Sequence, residues 1–413
     1  MLALRLARGA RPLVQLRRLL VTAASAGTGF LLLCTLGYAL GHPGASATST
    51  LRLAWCLAPV AATVYFAVAV ARTDPGTRPR SGLAAIGLGP VRLMALSAVT
   101  TALSTALGSL LALLLFLHLR GGPTGLPFVG PTAGFLAADQ SLPLPAALTL
   151  LALVPLAASL ASALALRPAD ALLPRAAHGD AQAASGTDDA TDAQPGDLRD
   201  QAPLPDLPTA PRPTPGGLPW GVAALAAGLA VETQASRSDG APGLRLPGGV
   251  SGGPATVLAG WALTALGLAL AGPALAHLCG HLLQAVRPGA VRLLAGRGLQ
   301  EEARRIGRPL GVVCAVASGA YVLATQYAET RPSFGPLTTL GAVLVAGCTV
   351  ATLATAALEA RQARADTLAA LGRLGAPTTM LRTAALLRAG ALVVVFAPLT
   401  WAVAVLAAMP AAG

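Results

Sequence analysis

The sequence predicts an all-α polytopic membrane protein with about nine transmembrane helices. Of the 413 residues, 54% are apolar and only 11% are charged, and the mean hydropathy is +0.66. Several apolar runs extend over 18 residues or more, whereas the core of a soluble protein would interrupt them with charge. The main partner of such a chain is the lipid bilayer.

Nine apolar segments carry this prediction, and the basic residues orient them. Arginine supplies all 29 basic residues, which is typical of a GC-rich genome. With a cytoplasmic N-terminus, 24 arginines fall in cytoplasmic segments and five in external ones, as the positive-inside rule requires. We therefore expect a multi-pass protein of a bacterial plasma membrane. The segments cover residues 19–40, 51–72, 93–118, 143–166, 217–234, 254–281, 309–328, 337–358 and 389–409.

The fifth segment is the weakest of the nine. Its apolar part, residues 218–231, would cover about 21 Å as a helix, which is less than the bilayer core of about 30 Å. A re-entrant helix is the alternative. However, if this segment did not cross, eleven downstream arginines would be exported. The sequence therefore favours a crossing helix.

Residues 167–216 differ from the rest of the chain because they contain nine prolines and eight aspartates. This composition predicts a disordered cytoplasmic linker. It follows a first unit of four transmembrane helices (residues 1–166). After the linker we expect a connecting helix pair (217–286) and a second unit of three transmembrane helices (287–413).

An internal repeat relates the two units. The string LAAIGLGP begins at Leu83, and LAALGRLGAP, which has one inserted residue (Arg373), begins at Leu368, 285 residues later. An arginine pair precedes each string by a similar distance, at residues 17–18 and 304–305, and an apolar segment follows each pair. Repeats of this kind indicate a duplicated structural unit.

The two repeated strings lie in segments 72–92 and 359–388, which the sequence predicts to be short amphipathic helices on the cytoplasmic side. In the second copy three leucines recur at helical spacing, while the charged side chains should remain solvated. Glycine should then end each helix and reverse the chain. The leucines are Leu368, Leu371 and Leu374, and the charged residues are Arg361, Arg364 and Asp366.

The segment EARQARADTLAALGRLGAP, between two membrane helices, resembles the FtsX-like (MacB-type) permease family of ABC transporters, in which the pattern is similar to REREIALLRALGAS. The resemblance covers both halves except the linker and helices five and six. It implies that these segments dock on an ATP-binding subunit. The residues to which it assigns this coupling are Arg78, Arg80, Leu83, Gly87 and Gly89 in the first copy and Glu359, Arg361, Arg364, Leu368, Leu371, Gly372 and Gly375 in the second.

The ATPase itself must be a separate polypeptide. A P-loop requires a lysine that reaches the nucleotide phosphates, and this sequence contains no lysine. Two copies of the docking segment suggest contact with both subunits of an ATPase dimer. We expect no cofactor in this chain, because ATP would bind to the partner.

The segment from Arg287 to Pro309 alternates arginines with leucines. It predicts an amphipathic helix along the inner membrane surface, attracted to anionic headgroups. Glu301 and Glu302 are placed to pair with Arg304 and Arg305. Contact with the ATPase is an alternative role for this helix.

The sequence gives little support for an enzyme. The sequence has no HExxH motif, no paired carboxylates and no Ser/His/Asp cluster in its external segments. His277, Cys279 and His281 of HLCGH have no acidic residue nearby to complete a ligand set, so we expect no metal site. Nor do the dispersed arginines form the basic face of a nucleic-acid binder.

We therefore expect a permease subunit that couples ATP hydrolysis in a partner to the export or extraction of an amphiphile, such as a lipid, peptide or lipoprotein. The alternative is a non-transporting membrane scaffold or mechanical relay driven by the same kind of ATPase.

Overall fold

The computed structural model describes residues 12–44, 46–73, 90–120, 141–167, 216–237, 244–246, 250–252, 255–285, 289–326, 335–375 and 377–408. These residues form nine helices and one short antiparallel hairpin between the fifth and sixth helices. The elements are α1 (Pro12–Gly41), α2 (Ser46–Thr73), α3 (Pro90–Leu119), α4 (Leu144–Ala165), α5 (Leu218–Arg237), β1 (Leu244–Leu246), β2 (Val250–Gly252), α6 (Ala255–Ala285), α7 (Ala290–Gln326), α8 (Pro336–Arg373) and α9 (Thr378–Ala408).

The predicted fold class is confirmed, and each predicted apolar segment corresponds to one helix. Within the described part of the chain, eight helices are long and apolar enough to cross a membrane. The remaining helix is α5, the segment that was also weakest in the sequence. All five cysteines lie buried in these helices as free thiols.

The first four helices pack together through apolar clusters and hydroxyl contacts. Leu33 of α1, Phe116 of α3 and Leu151 of α4 share a fully buried cluster. The Ser25 hydroxyl of α1 donates a hydrogen bond to the carbonyl oxygen of Thr105 on α3, at 2.7 Å. Because the hydrocarbon core offers no water, such bonds satisfy polar groups inside the bundle.

Helix α8 comes late in the chain but packs against the first helices. Cys348 shares a buried cluster with Phe66 of α2 and Val21 of α1. Closer to its start, Leu344 of α8 packs on a cluster that contains Cys56 of α2. The second half of the chain is therefore joined to the first by α8.

Glycines allow α5, α6 and α7 to approach at backbone distance. A Cβ atom at Gly221 of α5 would lie 2.6 Å from the amide nitrogen of Ala271 on α6. One at Gly307 of α7 would lie 2.5 Å from the Cα of Pro273 on α6. Small residues of this kind are the usual means of tight helix packing in membranes. They place α5 along the first half of α6.

The prediction of a separate surface helix over residues 287–309 is wrong. Residues 290–309 form the first half of α7, which continues through Pro309 as one helix of 37 residues. At 1.5 Å per residue it is about 56 Å long and exceeds the bilayer core by about 25 Å. Ala295, Leu299 and Ala303 are buried at a spacing of four residues. This stripe packs the charged half of α7 on its neighbours, so it is not a surface helix.

Helix α9 completes the second half of the molecule. Its Phe396 and Val403 share a cluster with Leu268 of α6 and Cys314 of α7. The outward faces of several helices carry exposed leucines and valines, as expected for contact with lipid. Examples are Leu103, Leu107 and Leu114 on α3, Leu156 and Leu160 on α4, and Val393 and Val394 on α9.

Candidate functional site

The second repeated segment does not form a helix of its own. Helix α8 runs without interruption from Pro336 to Arg373, over 38 residues or about 57 Å. The prediction of a separate short helix after Glu359 is therefore wrong. The physical reason is local, because residues 359–371 contain no glycine or proline and are rich in strong helix formers. The segment extends α8 beyond its apolar part.

Gly375 ends this extension, as predicted. Its φ angle is +84°, in the left-handed region that glycine adopts without strain. The Leu374 amide donates to the carbonyl oxygen of Ala370 at 3.1 Å and closes the last helical turn. Helix α9 then begins at Thr378, directly after Pro377. Gly372, in contrast, lies inside α8.

Arg364 is bound to α7 rather than solvated, so that prediction is wrong. Its guanidinium group faces the Glu302 carboxylate in a two-pronged ion pair: Nη2 donates to Oε2 at 2.5 Å, and Nε lies beside Oε1. The Glu302 side chain is only 9% exposed and the Arg364 side chain 26%. Nε also donates to the carbonyl oxygen of Ala360, at 3.2 Å. Planar pairs of this type fix orientation as well as distance.

A second ion pair joins the same two helices nearer the apolar region. Arg305 of α7 lies 3.8 Å from the Glu359 carboxylate of α8. The sequence predicted pairs within residues 301–305, but Glu302 and Arg305 each take a partner on α8. The two helices run antiparallel here. Each contributes one acidic and one basic residue: α7 supplies Glu302 and Arg305, and α8 supplies Glu359 and Arg364.

Helix α9 adds a buried arginine to this region. Arg388 is 9% exposed, and its Nε donates to the carbonyl oxygen of Ala384 at 3.3 Å. Its Nη1 lies 2.7 Å from where a Cβ atom of Gly298 on α7 would be. The glycine thus leaves room for the guanidinium group. The sequence analysis missed Arg388, whose only signal was its position directly before an apolar segment.

The tip of α8 presents an exposed surface. Leu374 is 84% exposed and Leu368 is also exposed. Arg361 and Arg373 are exposed on the same extension. The tip thus exposes apolar and cationic side chains together.

The remaining candidates have different outcomes. Arg78, Arg80, Leu83, Gly87 and Gly89 lie outside the described residues, so the first docking segment has no structural description. Leu371 is part of α8. The rings of His277 and His281 meet edge to face with centroids 4.9 Å apart, and no group of three potential metal ligands occurs among the described side chains.

No protein-family model, no curated protein and no solved structure matches this chain.

Proposed function

We propose that this chain is the membrane-spanning permease subunit of an ABC transporter of the FtsX-like type. In this proposal the tip of α8, from Arg361 to Gly375, docks on a separate ATP-binding subunit. The observation that carries it is the long α8 extension, which ends in an exposed turn and is held to α7 by two ion pairs.

The two ion pairs between α7 and α8 would allow the tip of α8 to transmit force to the rest of the molecule. A free surface helix would tilt when a partner pushes on it. The two-pronged contact between Arg364 and Glu302 instead makes the ends of α7 and α8 move together. Since α8 also packs on α1 and α2, displacement of its tip reaches the first half of the molecule.

The internal repeat suggests a second docking site in residues 72–92. Its support is a common pattern of hydroxyl contacts. Ser25 of α1 donates to the Thr105 carbonyl oxygen on α3, and Ser318 of α7 donates to the Thr400 carbonyl oxygen on α9 at 3.3 Å. The first and third helices of each proposed unit thus meet through the same kind of bond. Two such units would match an ATPase dimer.

The proposed cargo is an amphiphile such as a lipid, peptide or lipoprotein. Helices α3, α4 and α9 expose rows of leucine and valine, over which an apolar chain can move without leaving a lipid-like environment. The direction of movement, export or extraction, follows the family resemblance. The alternative function is a scaffold or mechanical relay, which would use the same docking tip without moving a substrate.

Co-purification of the chain with an ATP-binding subunit tests the docking proposal. The charge-reversed variant Arg361→Glu/Arg373→Glu should lose the ATPase, because both side chains lie exposed on the α8 extension. Arg297→Glu is the matched control, since Arg297 is likewise exposed but belongs to α7 and not to the α8 extension. Equal ATPase recovery from the wild type and the double variant would refute docking at this tip.

A second measurement separates transport from relay. The purified complex is reconstituted in vesicles, and its ATPase rate is measured with and without candidate lipids and lipopeptides. Stimulation together with movement of a labelled lipid supports the permease. ATPase binding without either effect supports the relay.

A further inference from the structure

A cavity of about 850 Å³ lies between the two halves of the molecule. The end of α2, the middle of α7 and α8 form most of its wall, and the residues that precede α5 close one side. It is thus formed only when the halves pack together. The lining residues used below are Ala61, Val64, Val68 and Arg72 of α2, Leu270 and Pro273 of α6, Arg304, Arg305 and Arg308 of α7, and Glu359 of α8.

The polar part of the cavity is strongly basic. Among the residues that the structure describes, four arginines line it, and the one lining carboxylate is that of Glu359. The guanidinium group of Arg305 lies 3.8 Å from this carboxylate, and half of the Arg305 side chain remains exposed. The described part of the lining therefore carries three more positive than negative charges. Like charges gathered in a partly apolar site are costly unless an anion joins them.

Much of the remaining wall is apolar, although Tyr65, Thr73, Thr352 and Thr355 also line the cavity. Ala61, Val64 and Val68 lie along one face of α2, and Leu270 and Pro273 of α6 also line the cavity. From Arg72 back to Ala61 is eleven residues of helix, or about 16 Å. The cavity thus has a basic end and a long apolar wall, the arrangement that an anionic amphiphile requires.

Its level along the helices agrees with this chemistry. Arg72 is the last residue of the predicted span 51–72, and Arg308 directly precedes the predicted span 309–328. With a cytoplasmic N-terminus, both arginines lie at the depth of the inner headgroups. Basic pockets between transmembrane helices on this side are suited to phospholipid headgroups.

We propose that this cavity binds the phosphate group of an anionic phospholipid from the inner leaflet, with an acyl chain along the apolar wall of α2. Arg72 and Arg308 hold the phosphate from opposite halves of the molecule, because guanidinium groups match phosphate oxygens in geometry and charge. Bound lipid would stabilise the contact between α2 and α7. This site is independent of the proposed docking of an ATPase.

A binding measurement on the full chain in a non-ionic detergent tests the proposal. The probe is phosphatidylglycerol labelled on its acyl chain, followed by fluorescence anisotropy, with labelled phosphatidylcholine as the zwitterionic comparison. Arg72→Gln/Arg308→Gln should weaken phosphatidylglycerol binding by about thirtyfold, since each arginine near an anionic headgroup contributes about fivefold. Each single variant should lose about fivefold, which keeps the test valid if the double variant unfolds.

Arg297→Gln/Arg361→Gln is the control, because it makes the same charge change at exposed positions outside the cavity. Equal affinity in the wild type and the cavity variant, or an equal loss in the control, would overturn the proposal. Glycerol phosphate serves as a soluble competitor. If it displaces the probe as effectively as unlabelled phosphatidylglycerol does, the site binds free phosphates and the lipid assignment is wrong.

Discussion

The side chains of Thr63 on α2 and Cys348 on α8 meet at 3.9 Å between Oγ1 and Sγ, although 285 residues separate them. The same number separates Leu83 from Leu368, the starts of the two repeated strings. The predicted repeat would make the two positions equivalent, and contact between equivalent positions is what a two-fold relation between two copies would produce at its axis. Thr28 of α1 joins this contact through its hydroxyl, 2.8 Å from the Thr63 hydroxyl.

A disulfide can test this contact. In a chain whose other four cysteines are replaced by alanine, Thr63→Cys should form a disulfide with Cys348 on oxidation, because their side chains meet. A protease site inserted between residues 168 and 215 allows cleavage, after which the disulfide should keep the two fragments together on a non-reducing gel. Leu57→Cys, at an exposed position of α2, should leave the fragments separate. Separation in both variants would contradict the contact.

The ion pair between Glu302 and Arg364 should be coupled in stability. Each single variant, Glu302→Gln and Arg364→Gln, leaves a charged partner largely buried and should lower the thermal midpoint in detergent. The double variant should recover part of the loss, with a coupling energy of about 1–2 kcal/mol. Arg361→Gln is the control, since Arg361 is exposed on the same helix. Simple additivity would mean that the pair contributes nothing.

The glycine contact between α6 and α7 should not tolerate a methyl group. The Cβ of a Gly307→Ala variant would lie 2.5 Å from the Cα of Pro273 and 2.6 Å from its nitrogen. Both are backbone atoms, so the helices must separate, at a cost of about 1–3 kcal/mol. At Gly319 of α7 a Cβ has no neighbour within 4 Å. Gly319→Ala should therefore be neutral or stabilising by up to about 1 kcal/mol, and a similar response from both variants would refute this packing.

Replacing the carboxyl group of Glu232 on α5 by an amide should stabilise the protein. It is buried against α6, where the Thr264 hydroxyl donates to Oε1 at 3.2 Å. Its Oε2 has no hydrogen-bond partner among the described residues. Glu232→Gln keeps the size and the Thr264 bond but removes an ionisable group, so it should raise stability by about 1 kcal/mol. Thr264→Val, which leaves both oxygens without a donor, should lower it. Chemical unfolding in detergent compares the two.

Leu374 should contribute to ATPase binding and not to stability, if the tip of α8 docks as proposed. At 84% exposed it buries little within the chain. Leu374→Ser should weaken the ATPase complex by about tenfold, the value of burying one leucine, while the thermal midpoint of the isolated chain stays the same. Leu293→Ser, on α7, is the control. A lower midpoint without weaker binding would assign Leu374 a structural role instead.

The order of the helices and the position of their apolar parts could be read from the sequence. Each apolar run must satisfy its own backbone in lipid, and a helix is the structure that does so within one segment. Gly375 also allowed the end of α8 to be predicted, because few residues other than glycine readily adopt the left-handed backbone conformation. These features depend on neighbouring residues alone. For residues 290–308 the sequence predicted a surface helix, because their many arginines are a stronger local signal than the stripe of Ala295, Leu299 and Ala303, which is buried in the structure.

The tertiary structure decided which residues become partners. Hydropathy is much the same around most of these helices, so it does not say which faces meet; close backbone approach at glycines such as Gly307 does. Only that packing brings Arg364 to Glu302, Thr63 to Cys348, and Arg72 to the same cavity as Arg308. Composition and local pattern thus determined a bundle of long apolar helices with arginine-rich ends. The fit of helix surfaces determined its ion pairs and its basic cavity, because partners far apart in sequence are chosen by shape and not by local propensity.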